Sequence, residues 1–141
     1  MLKGIKQTDK GLLEPIQKYG CLFLCFAHSS PFKFEGEVGR FALNFLWNKA
    51  IENSIISKKF IVENHNKLAE LFELKAKYDD MHHKAEEKIP SKVKYVFGEY
   101  TYTDSHFVVL NKSKKVIFDP YGKSNTVKNG NLNTMRFYYA D

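Results

Sequence analysis

A cysteine, a histidine and an aspartate, the three side chains that together perform acyl transfer through a thiol, are spread along this chain. Cys21 follows Gly20 and opens the apolar run CLFLCFA at 21–27. His106 begins HFVVL at 106–110, and Asp119 closes KVIFD at 115–119, immediately before Pro120-Tyr121-Gly122. A thiol at the start of a helix sits at the positive end of the helix dipole, which favours the thiolate, the nucleophilic form. Gly20 lets the chain enter that helix sharply, so that the sulfur faces an open groove. Leu22, Phe23, Leu24 and Phe26 anchor the helix in the core behind it.

The histidine and the aspartate are linked by hairpin arithmetic. If the two strands pair about a turn at Lys112-Ser113, His106 faces Asp119, Phe107 faces Phe118 and Val108 faces Ile117. An even loop keeps both polar side chains on one face, whereas an odd loop separates them. A carboxylate beside an imidazole holds one tautomer and stabilises the imidazolium, so the expected roles are nucleophile (Cys21), general base (His106) and orienting group (Asp119). Other groups read more plainly. Cys25 is a core residue of its helix. Asp119-Pro120-Tyr121-Gly122 is also a good turn, with the carboxylate accepting backbone N–H groups. His82-His83 with Asp79 and Asp80 raise the question of a metal, but adjacent helical side chains point apart and the run reads as charged and exposed, so no metal is expected.

The elements that must position these groups change character along the chain. Residues 1–20, broken by Gly4, Gly11, Pro15 and Gly20, read as loop with a short helical turn. A buried helix spans 21–27 and ends at His28-Ser29-Ser30-Pro31. A second helix covers 37–52, with Val38, Phe41, Leu43, Phe45, Leu46 and Ile51 near helical spacing. Residues 57–62 read as an extended piece or turn. Residues 63–78 read as a helix with Leu68, Leu71, Phe72 and Leu74 on its apolar side, and 79–88 as a solvated helix end or loop. Strands are expected at 93–102, 106–110, 115–119 and 135–140, rich in β-branched and aromatic residues. Helices followed by strands point to an α+β fold in one domain, 1–141, with a mainly helical part at 1–90 and an antiparallel sheet at 91–141.

The order Tyr19-Gly20-Cys21, His106-Phe107-Val108-Val109 and Asp119-Pro120-Tyr121-Gly122 resembles the papain-like cysteine peptidases, in particular compact bacterial members such as the bacteriocin-leader (double-glycine) peptidases. The resemblance implies N-terminal helices packed on a C-terminal antiparallel sheet. It also implies a cofactor-free cysteine hydrolase acting on a peptide or amide bond in a protein, a leader peptide or a peptidoglycan stem peptide. That family carries its oxyanion-hole Gln about six residues before the Cys. Pro15 stands at that position here, and the nearest match is Gln17, which the resemblance pairs with the Cys21 backbone N–H. The chain is also similar to a small plasmid- or prophage-borne spirochaete family of unassigned function.

Composition narrows the partners. The net charge is +6 from 22 basic and 16 acidic residues. The basic set is 20 Lys with Arg40 and Arg136 alone, spread along the chain, and Arg is the residue suited to bidentate phosphate and base contacts, so a nucleic-acid partner is disfavoured. No window approaches the ~18 apolar residues of a membrane span. The first residues lack an apolar export segment, which predicts the cytoplasm or a leaderless route. The two cysteines, four apart on one helix, do not suggest a disulfide. Two further readings follow from the same residues: a non-catalytic papain-like phage or plasmid accessory protein that binds a partner, and a basic single-strand binder stacking bases on Tyr95, Phe97, Tyr100, Tyr102, Tyr138 and Tyr139. Oligomeric state is not set by the sequence.

Overall fold

The computed structural model describes residues 1–141, which divide into two compact units, Met1–Leu74 and Lys75–Asp141. The fold is α+β, with the helices concentrated in the first unit and an antiparallel sheet in the second.

In the first unit, strand β1 (Leu2–Lys3) pairs in parallel with β2 (Phe34–Glu35). Helices α1 (Glu14–Tyr19) and α2 (Cys21–Ser29) follow one another through Gly20, then α3 (Gly36–Glu52) and α4 (His65–Leu71) complete the unit. Pro15 stands in the first turn of α1, where its missing N–H costs nothing. Asn64 caps α4 by accepting the Lys67 N–H at 3.0 Å. Phe23 of α2 organises the core, meeting Trp47 of α3 and Phe72 edge-on at 5.1 Å each. The lead-in loop is tied to α3 by an Arg40–Asp9 ion pair at 2.7 Å and by Asn44, which accepts the Leu13 N–H at 2.9 Å.

Two expectations fail here for local reasons. In α3 the buried positions are Gly39, Leu43, Trp47 and Ala50, while Val38, Phe41 and Phe45 are exposed. The apolar residues of this helix therefore occupy two opposite faces, and the inner one uses small residues that a hydrophobic count overlooks. A Cβ on Gly39 would come within 2.7 Å of the Phe34 carbonyl carbon, so close packing of α3 on β2 requires glycine. The helix expected over 63–78 stops at Leu71. Glu73 and Lys75 take left-handed backbone (φ 53° and 49°), and the chain then leaves as a strand. Phe72 and Leu74 are buried as core residues of the turn, not as a continuing helical stripe.

The sheet consequently begins at Ala76, well before residue 91. Strands β3 (Ala76–Tyr78) and β4 (His83–Lys84) both pair with β8 (Asn131–Ala140), as two pieces of one interrupted edge; β5 (Val93–Thr101), β6 (Ser105–Leu110) and β7 (Val116–Phe118) complete the order β3-β8-β5-β6-β7. Every pairing in it is antiparallel. Val93, Val96, Val108, Leu110, Met135, Phe137 and Ile89 form a core cluster, with Val127 of the short helix α5 (Asn125–Asn129) packed against it. Phe97 and Tyr138 are also fully buried, so these two rings are not available for base stacking. No helix is long and apolar enough to cross a membrane.

Candidate active site

The hairpin that carries His106 and Asp119 forms, but not in the expected register. Its loop is odd: Asn111 and Lys115 close three residues, 112–114, with Lys114 left-handed at φ 64°. Asn111 Oδ1 builds the turn by accepting the Ser113 N–H at 2.9 Å and the Lys115 N–H at 3.0 Å. Left alone, that loop would put the two polar residues on opposite faces. A bulge corrects it: Leu110 faces Val116, yet Val109 faces Phe118, and Ile117 is the extra residue, turned outward and 57% exposed. Phe118 thus meets Val109 instead of Phe107, a slip of two residues that preserves the facing side.

His106 and Asp119 meet across this slipped hairpin. His106 Nε2 lies 2.7 Å from Asp119 Oδ1, and both side chains are buried, at 3% and 5% exposed. Tyr121, two residues beyond the aspartate, stacks flat on the imidazole at 4.5 Å and 4°. Asp119 is held from behind as well: Oδ1 accepts the Tyr121 N–H and Oδ2 the Ser124 N–H, each at 2.9 Å. Ser124 in turn caps α5 by accepting the Val127 N–H at 3.2 Å. The turn reading and the orienting reading of Asp119 are therefore both satisfied by one side chain. Burial pushes the Asp119 carboxyl up, but the His106 bond and the Ser124 and Tyr121 groups outweigh it and hold it down at about 2. A carboxylate that stays ionised fixes Nε2–H as the donor, which makes Nδ1 the basic nitrogen of the neutral ring.

Cys21 and Gln17 belong to the first unit. Cys21 is the first residue of α2, partly exposed, whereas Cys25 is fully buried; neither forms a disulfide. Gly20 is not left-handed (φ −89°), and glycine is needed there for space: a Cβ would lie 2.5 Å from the Ile16 carbonyl oxygen and 2.9 Å from its Cα. The first turn of α2 has no side-chain cap. The Gln17 amide donates to the Leu12 carbonyl at 2.8 Å, using one hydrogen of its nitrogen. A residue that spacing did not reveal, Gln7, is 1% exposed and donates from Nε2 to the carbonyls of Ile16 and Gln17 at 3.1 Å each. It pins the end of α1 just ahead of Cys21.

The burial of a second histidine was missed. The stretch 79–88 is largely exposed loop, one of its two expected forms, but His83 lies in β4, 8% exposed, stacked on Phe137 at 3.9 Å and 14°. Its Nε2 lies 2.6 Å from Asp79 Oδ2 and its Nδ1 3.1 Å from Glu87 Oε1. Burial pulls the His83 pKa down, and the two carboxylates overcome this, so the net shift is upward. With a carboxylate at each ring nitrogen, both positions of this imidazole are engaged within the protein. The spacing Asp79-x-x-x-His83-x-x-x-Glu87 was the signal that could have found it.

No curated protein and no solved structure matches this chain. A family model described as "Protein of unknown function, DUF261" matches residues 1–140, and the chain belongs to that family.

Proposed function

We propose that this protein is a papain-like cysteine hydrolase that cleaves a peptide or amide bond. The observation that carries the reading is the buried His106–Asp119 pair, an oriented imidazole backed by a carboxylate that does not titrate near neutrality. Cys21, partly exposed at the head of α2, supplies the nucleophile. In this reading the Cys21 thiolate attacks the carbonyl carbon, and the oxyanion is received by the Cys21 backbone N–H and the second amide hydrogen of Gln17. His106, as imidazolium, gives its proton to the leaving amine; the neutral ring then takes a proton from water, which attacks the thioester and releases the acid and Cys21. Asp119 does not itself change protonation. It keeps the ring in one tautomer and offsets the imidazolium charge.

A peptidyl epoxide tests the assignment without knowledge of the natural sequence. The expected result is a single adduct on Cys21 in the wild type, absent from Cys21→Ser and strongly slowed in His106→Ala. An adduct on Cys25, or equal labelling of the wild type and His106→Ala, would overturn it.

A further inference from the structure

Helix α3 presents an apolar stripe on the side opposite its core. Val38 is 82% exposed, Phe41 73% and Phe45 57%, while Gly39, Leu43, Trp47 and Ala50 face inward. At 100° per residue, Glu37, Val38, Phe41, Phe45, Asn48, Lys49 and Glu52 share that outer face, and all are exposed. Two phenylalanines a turn apart on the wet side of a helix are costly to leave in water, and aromatic residues of this kind anchor interfaces.

The geometry points to a second copy of this chain as the occupant, through an antiparallel, two-fold pairing of α3 with α3. Charge complementarity along the stripe favours this occupant. Glu37, Phe41, Phe45 and Lys49 follow one another at four-residue intervals, with an acid at one end and a base at the other. In a pairing centred between Phe41 and Phe45, Phe41 of each copy meets Phe45 of the other, Glu37 meets Lys49, and Val38 meets Asn48. The same patch serves both copies, as a two-fold interface requires. Lys49 is already drawn over the stripe, with Nζ 5.9 Å from the centre of the Phe45 ring, close to where the partner's acid would arrive. This outer face carries one Lys against two Glu, so the chain's net positive charge is not concentrated there. That composition does not suit an anionic membrane or nucleic acid, and in this pairing Glu37 and Lys49 neutralise one another across the seam, leaving one Glu52 on each copy. A 17-residue helix is about 25 Å long, so the contact is small and the dimer weak.

Sedimentation velocity across roughly 1–500 µM protein tests this. The expected result is a monomer–dimer equilibrium that weakens with added salt. Phe41→Glu should leave the protein folded by circular dichroism and monomeric throughout. Glu37→Lys and Lys49→Glu should each weaken association about tenfold, and the double variant should recover it. A wild type that stays monomeric over the whole range overturns the proposal. So does a dimer that survives Phe41→Glu, or one that the double charge exchange fails to restore.

Discussion

The second unit contains two buried histidines, each stacked on an aromatic ring and each bonded to carboxylate, and the carboxylates hold them in different ways. His83 is gripped at both nitrogens, by Asp79 and Glu87, across the interrupted edge of the sheet. His106 meets its carboxylate at Nε2, and that carboxylate is anchored by backbone N–H groups. The first arrangement favours the protonated ring and ties β4 to the segments on either side of it, at Asp79 and Glu87. The second fixes the tautomer and sets Nδ1 as the basic nitrogen, which is the requirement for a general base. Ring burial and aromatic stacking do not separate the two; the number and placement of carboxylates do.

The largest test of that contrast exchanges the histidines' fates. His106→Ala should lower hydrolysis by about 10⁴-fold if the chain is a cysteine hydrolase, and it should also destabilise the fold, because it strands the buried Asp119. His83→Ala should leave labelling within about twofold yet cost about 2–3 kcal/mol in urea unfolding, since it removes a stacked, charged partner and strands Asp79. If His83→Ala also abolished labelling, the division of roles would be wrong. Next in size is Asp119→Asn, which keeps the shape but presents the wrong hydrogen-bonding partner to the ring. A loss of 10²–10⁴ in rate is expected, read as kcat at saturating substrate or as the rate of epoxide labelling.

The pH dependence of stability should differ at the two sites in sign. Asp119 has its pKa depressed to about 2, so its contribution, of order 2 kcal/mol, is present above the unfolded carboxyl value of about 4 and fades as pH falls toward 2. His83 has its pKa raised, so the stability it lends is complete below the unfolded imidazole value of about 6.5 and is lost as pH rises through the folded value. Urea midpoints against pH should therefore lose the acid slope in Asp119→Asn and the slope above neutrality in His83→Ala. The smallest effect belongs to Glu87→Gln, because Glu87 is 46% exposed. A small loss, below that of His83→Ala, is expected below neutrality, and it should shrink as pH rises, measured in the same titration.

The unevenness of what the sequence conveyed has a common physical cause. Helices α2 and α3 and strands β5 to β7 were readable because each carries its own apolar period or β-branched run between turn residues. The His106–Asp119 pair was legible by residue type and facing side, yet the expected register was wrong. An odd loop and a bulge act in opposite senses on side-chain facing, and neither Lys114's left-handed backbone nor the outward Ile117 leaves a mark in composition. His83 was read as exposed because Asp79–Lys88 is charged throughout, and its burial depends on Phe137 more than fifty residues away. The small residues of α3's inner face escaped for the reverse reason: Gly39 and Ala50 are buried by close backbone approach, which hydrophobicity does not register.

The central claim is that His106, oriented by Asp119, activates Cys21. The most direct measurement is the rate of iodoacetamide alkylation of Cys21 at pH 7, resolved from Cys25 by peptide fragmentation, in the wild type and in His106→Ala. The account predicts alkylation at least about tenfold faster in the wild type; equal rates in the two proteins would contradict it.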